Sequence, residues 1–105
     1  MTKKVLIEIK ADASDYLAEN KDVAKKARIE QIIPALDAGD QITIDFSAVK
    51  SITQSYANAL IGEGLKKHGL PALELIEFKG CTEKVQAIIG LVVDYHLADR
   101  NGRGA

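Results

Sequence analysis

The chain has 105 residues, 47% apolar and 28% charged, with a net charge of −1. That is the composition of one globular domain around a single core, and Lys and Arg are scattered rather than gathered into the basic stripe of a nucleic-acid binder. A single cysteine excludes an internal disulfide and fits a reducing cytoplasm; no apolar run reaches the length of a membrane helix, and the start MTKKVLIEIKAD lacks a signal peptide's apolar stretch.

Val5, Ile7 and Ile9 alternate with Leu6, Glu8 and Lys10, which predicts a half-buried first strand. ADASDYLAENKD follows, rich in turn formers, with room for a short structured piece at Tyr16–Leu17. A helix is predicted from about Asp22 to Leu36, with Ile29, Ile32, Ile33 and Leu36 on one stripe. Pro34 within it predicts a kink or loosened last turns unless packing holds them. Gly39 is the expected left-handed cap.

Gln41–Phe46 is the second predicted strand, with Ile42, Ile44 and Phe46 alternating with Thr43 and Asp45. Val49 and Ile52 pin the following loop to the core. A helix of about Thr53–Lys67 then presents Ala57, Leu60, Ile61, Gly64 and Leu65 inward. Gly62 and Gly64 each cost a helix roughly 1 kcal/mol relative to Ala, so close packing is their expected reason. His68-Gly69-Leu70-Pro71 reads as a stop signal, and Leu73–Phe78 as a third strand. The last helix starts after Thr82, its expected N-cap, and carries the stripe Val85, Ile88, Ile89, Val92 and Val93. Asp99–Ala105 reads as a disordered tail after a domain of residues 1–98.

Ser51, Thr53, Gln54 and Ser55 crowd the start of the middle helix, where unpaired N–H groups and the positive end of the dipole lie. They are capping residues, with Ser51 and Gln54 at capping-box spacing, or the place where a phosphate or partner group binds. The run Asp45, Phe46, Val49, Ile52, Thr53, Ser55, Tyr56, Ala57, Asn58 and Leu60 resembles the core of the STAS domains of bacterial anti-sigma-factor antagonists and sulfate transporters. It resembles the divergent bacterial STAS-like family more closely. The likeness is strong over about residues 41–66 and thinner from Val5 to about Val93.

This resemblance implies an α/β domain: a small mixed β-sheet with helices packed mainly on one face. It implies a cytoplasmic protein-interaction module in a signalling circuit, whose partner resembles a histidine-kinase-like ATPase or an anti-sigma factor. The docking surface would be the loop and helix start at residues 47–58. In the antagonists an Asp-Ser-Ser-Gly run lies there, and its first serine is phosphorylated. Counted from Ile52, Thr53 falls on the Asp, Gln54 on that serine, Ser55 on the second serine and Tyr56 on the Gly. Glutamine takes no phosphate, which leaves Ser55 and Thr53 as shifted candidate acceptors. The partner-binding set is then Ser51, Thr53, Gln54, Ser55, Tyr56, Asn58 and Arg28.

Arg28 reads either as a surface arginine among charged helix neighbours or as a contact to the partner or to the Asp45 loop. Asp45 and Phe46 are structural: the first braces its loop by accepting backbone N–H bonds, the second fills the core. Cys81 sits just before a helix cap, which would lower its pKa, but no histidine stands at a useful spacing, and His68 and His96 read as exposed. No phosphate loop, metal motif or nucleophile elbow occurs. The reading is of a protein with no catalytic residues, cofactor or metal, and no nucleic-acid or membrane partner. The alternative is a homo-oligomeric subunit of a structural or sensory complex, without a phosphoswitch, that dimerises through the sheet edge or the glycine-bearing helix.

Overall fold

The computed structural model describes residues 3–12 and 16–103, without the side chains of 98–103. Three strands form the main sheet: β1 (Lys4–Glu8), β3 (Gln41–Asp45) and β5 (Ile76–Lys79), in the order β1-β3-β5. β2 (Leu17–Ala18) pairs with β4 (Ser51–Ile52) in a separate two-stranded ladder. A mixed sheet was expected, but every described pair is parallel. β3 and β5 are each reached through helices, and such crossovers return the chain in the same direction. The register sets Val5 beside Ile42 and Ile42 beside Ile76, then Ile44 beside Phe78. Ile7, Ile9, Ile42, Ile44, Phe46 and Ile76 are buried under the helices, while Lys4, Leu6, Glu8, Gln41, Glu77 and Lys79 are exposed on the other face. Helices therefore cover one face, as expected of an α/β STAS-like domain.

The first helix starts where Asn20 accepts the Asp22 N–H at 3.0 Å. α1 (Lys21–Ala27) passes through a π-helical turn, Arg28–Ile32, into α2 (Ile33–Ala38). Pro34 has no N–H to give to the turn before it. The wider turn absorbs the defect: Ile33 N–H reaches back five residues to Arg28 O, and the helix runs on. One extra residue in the turn also rotates what precedes it. Ile32 and Leu36 are buried, but Ile29 leaves the expected stripe and is 54% exposed. Gly39 caps α2 in the left-handed conformation.

The middle helix runs as α3 (Gln54–Ala57), a second π turn (Asn58–Gly62) and α4 (Glu63–His68). Its inner face buries Ala57, Leu60, Ile61, Gly64 and Leu65, as expected. The predicted third strand is the clearest departure. Leu70–Leu75 is a helix, α5, and only Ile76–Lys79 pairs in the sheet. Pro71 stands in the first turn of α5, where its missing N–H costs nothing. The His68–Pro71 signal thus ends one helix and begins the next. α6 (Glu83–Arg103) buries Val85, Ile89, Val92 and Leu97. It extends into the stretch that the sequence marks as a tail; residues 104 and 105 lie outside the described residues, as do 13–15 of the turn-rich segment.

Candidate functional site

The segment between β3 and α3 is held from both sides. Phe46 is fully buried, its ring centroid 6.5 Å from that of Phe78, and its N–H donates to Lys79 O at 2.8 Å. Val49 N–H turns back to Phe46 O at 3.0 Å. The N–H groups of Lys50 and Ser51 share Tyr16 O, and Thr53 N–H donates to Ala18 O at 3.1 Å. The Lys50 ammonium lies 5.6 Å from the centre of the Tyr16 ring. From the other side, the Thr82 hydroxyl donates to Lys50 O at 2.6 Å while accepting Val85 N–H at 3.2 Å, so the expected cap of α6 also ties α6 to the loop. Gly80 has φ +69°, and a Cβ there would meet the Ser47 hydroxyl and, at 2.9 Å, the Ser47 nitrogen. Only glycine lets these two turns approach this closely.

Asp45 braces the loop as expected. Ser47 donates its hydroxyl and, at 2.8 Å, its N–H to one carboxylate oxygen. The Ser47 hydroxyl, then its N–H, then the Lys79 charge hold the Asp45 carboxyl below the usual carboxylate range. Asp37 is held low in the same way by the Lys67 ammonium and then His68, which bonds it at 2.9 Å. Carboxyls with lowered pKa in the fold stabilise it above their ordinary pKa, and that contribution is lost as pH falls through the lowered value. The thermal midpoint is therefore expected to drop on acidification below the ordinary carboxylate range. Asp45→Asn should flatten part of that drop in a melting series against pH; an unchanged slope would show that the Ser47 bonds carry no linkage.

The candidate partner residues do not behave alike. Ser51 lies in β4, half-buried, opposite Leu17, so it does not cap the helix. Thr53 is the cap, accepting Tyr56 N–H at 3.1 Å, and is half-buried. Phosphorylating it would destroy the cap, which leaves Ser55 as the accessible hydroxyl. Gln54, Ser55 and Asn58 are exposed along the first turns. Tyr56 is a correction: it is 2% exposed and belongs to the core, with its hydroxyl pushed up to about pKa 12 by burial and by Asp12. It cannot anchor a partner.

Arg28 is a second correction. It is half-buried, and its guanidinium donates to Ala59 O at 3.3 Å. Both groups lie in π turns, so the bond ties the two helices together where each is irregular. Arg28→Met should cost about 1–2 kcal/mol, the range of a bond from a charged donor weakened by partial exposure. A denaturant midpoint equal to the parent's would return Arg28 to the free surface.

Sequence reasoning missed the other wall of the site. Leu91 and Tyr95, four residues apart on α6, flank its apolar stripe and are 54% and 71% exposed. Tyr95 and Val92 close a groove of about 370 Å³ with Gln54, Ser55 and Asn58. His96, expected to be exposed, is half-buried, and its Nε2 lies 2.8 Å from Asn58 Oδ1. The Tyr95 and His96 rings meet edge-on at 5.1 Å. Gly62 explains itself here: a Cβ on it would lie 2.7 Å from Asn58 Oδ1 and 2.8 Å from His96 Nε2. Across the helix start, Asp12, Glu19 and Asp22 border a shallow depression with Thr53 and Ser55, which makes this rim acidic apart from Lys21.

Cys81 is half-buried, and burial followed by Asp45 raises its pKa, the reverse of the expected direction. His68 is half-buried against Asp37. Among the described residues no group of three or more His, Cys, Asp or Glu side chains is arranged to hold a metal, and no helix is long and apolar enough to cross a membrane.

A parallel sheet covered by helices on one face, with a braced loop feeding a hydroxyl-rich helix start, defines an α/β domain of the STAS-like kind. The comparison with protein families agrees: the model of the STAS-like domain of unknown function, DUF4325, matches residues 24–86, more than half of the chain. The chain belongs to that family. No curated protein and no solved structure matches it.

Proposed function

We propose that this domain is a non-catalytic protein-interaction module of the cytoplasm, which docks a regulatory partner on the face formed by the start of α3 and the outer side of α6. The observation that carries the reading is the groove between Gln54, Ser55 and Asn58 on one side and Tyr95 on the other. It joins an exposed aromatic, Tyr95, and the apolar Val92 to the polar groups of Gln54, Ser55 and Asn58, the composition of an interface with an apolar centre and a hydrogen-bonding rim. Tyr95 takes the anchoring role that the sequence assigned to Tyr56. The acidic rim of Asp12, Glu19 and Asp22 favours a partner with a basic surface. The family resemblance supports a partner of the anti-sigma-factor or histidine-kinase-like ATPase kind.

The test is comparative capture from extract with the parent chain, Tyr95→Ala, Ser55→Arg and Lys25→Glu as bait. The docking face predicts an ATPase-type protein held by the parent and by Lys25→Glu and lost from the other two. The same proteins held equally by all four baits would sink it.

A further inference from the structure

Among the described residues, β1 uses its backbone on one side only. Gln41 N–H donates to Lys3 O and Ile9 N–H to Asp45 O, each at 2.9 Å, in a parallel ladder that runs from Lys4 beside Gln41 to Glu8 beside Asp45. In such a ladder alternate residues turn their N–H and C=O to the same neighbour. Lys3, Val5, Ile7 and Ile9 therefore face β3, while Lys4, Leu6 and Glu8 turn their backbone groups outward. β1 stands at the end of its sheet, and no described residue bonds those outward groups. Open grooves follow this edge: one of about 270 Å³ lies between Val5 and Pro34, and one of about 300 Å³ between Ile9 and Val23. The edge is long enough to pair, among the described residues no strand covers it, and it holds a leucine, Leu6, that is 59% exposed in the middle of a polar sheet face.

The geometry points to a second copy of this chain as the occupant, with β1 pairing antiparallel to β1 about a twofold axis through Leu6. The charges are self-complementary in this register. Leu6 lies opposite Leu6 of the second copy, Lys4 opposite Glu8, and Glu8 opposite Lys4. All three are the outward-facing residues, and outward-facing residues are those that exchange both N–H···O bonds in an antiparallel pair. Neighbouring registers lose this match. A shift of one step sets Lys4 or Glu8 against Leu6; a further step sets Lys4 against Lys4 or Glu8 against Glu8. Opposite charges directly across a ladder stabilise it, and like charges oppose it. Edge charges that ordinarily guard a strand against indiscriminate pairing thus admit one partner in one register. The contact is isologous and closes as a dimer rather than a filament. It joins two three-stranded sheets into one of six strands. No residue lining the α3–α6 groove lines either groove along β1, although Asp12 of the acidic rim also borders the groove at Ile9 and Val23.

Sedimentation equilibrium over a wide concentration range tests this on the intact chain. The parent is expected to show a monomer–dimer equilibrium. Lys4→Glu and Glu8→Lys, each of which sets like charges across the ladder, should weaken it by at least about tenfold. The double variant carrying both changes restores opposite charges and should return the dimer to near-parental affinity. Both substituted side chains are exposed, so circular dichroism should show each variant folded. A parent that stays monomeric at the highest concentrations overturns the proposal. So does a dimer indifferent to the single reversals, or one that the double swap fails to rescue; loss of partner capture without change in sedimentation bears on the docking face alone.

Discussion

Phe46→Ala is expected to remove about 3–5 kcal/mol of stability, the usual result of deleting a buried aromatic ring. Phe46 is fully buried and stacks against Phe78 across the β3–β5 ladder. Its backbone is engaged in both directions, with Lys79 O and Val49 N–H as partners. The ring therefore fills the core at the point where the site loop leaves the sheet, and the cavity would open beneath that loop. A domain of this size has only about 5–15 kcal/mol in total, so the variant should lie close to unfolding at ordinary temperature. Equilibrium denaturation measures it directly. Phe46→Leu retains part of the volume and should lose clearly less. A midpoint equal to the parent's would mean that the ring is not in the core, and the β3 register would have to move by one residue, exchanging Phe46 for Asp45.

That register was legible because β3 has one buried face and a strict alternation. Ile42, Ile44 and Phe46 are buried, and Thr43 and Asp45 are half-buried on the other side, as the pattern requires. The same rule misled at Leu73–Phe78. Four apolar residues in six do not separate a short strand from a helical turn leading into one, and Pro71 fits the start of a helix as well as a stop. The π turns are a different case. Pro34 announced a defect but not its form, and nothing local marks the turn at Asn58–Gly62. The displacement of Ile29 from its stripe follows from the turn at Arg28–Ile32.

The site divides in the same way. The capping role of Thr53 and the loop-bracing role of Asp45 are local, and were readable from residue type and spacing. Tyr56 lies four residues before Leu60, so helical spacing already placed it on the buried face; the family's docking loop suggested otherwise, and packing won. The bonds from Arg28 to Ala59 and from His96 to Asn58 join residues 31 and 38 positions apart. No window along the chain contains such pairs. Leu91 and Tyr95 did leave a trace: they are a pair at helical spacing beside the stripe of α6, too apolar for an outward face without a purpose.

Ser55→Asp and Gln54→Asp are expected to tighten partner binding about tenfold, or 1.4 kcal/mol, while Tyr95→Ala weakens it by a similar factor or more. Gln54 and Ser55 are exposed in the first turn of the helix that Thr53 caps. A carboxylate there meets the positive end of the helix dipole, which offsets repulsion from Asp12 and Asp22. Folding should therefore change little, and the thermal midpoint should stay within a few degrees. The partner meets that charge on a rim that is already acidic, so a basic partner surface is drawn in more strongly. A phosphate on Ser55 would act in the same sense with about two negative charges. Gln54 holds the position of the antagonists' phosphorylated serine, so its substitution should equal or exceed the effect at Ser55. Calorimetry with the captured partner decides it. Weaker binding by both carboxylate variants would make the partner's surface acidic and reverse the electrostatic part of the proposal. Parental binding by both, with Lys25→Glu abolishing it, would move the docking face to the exposed side of α1.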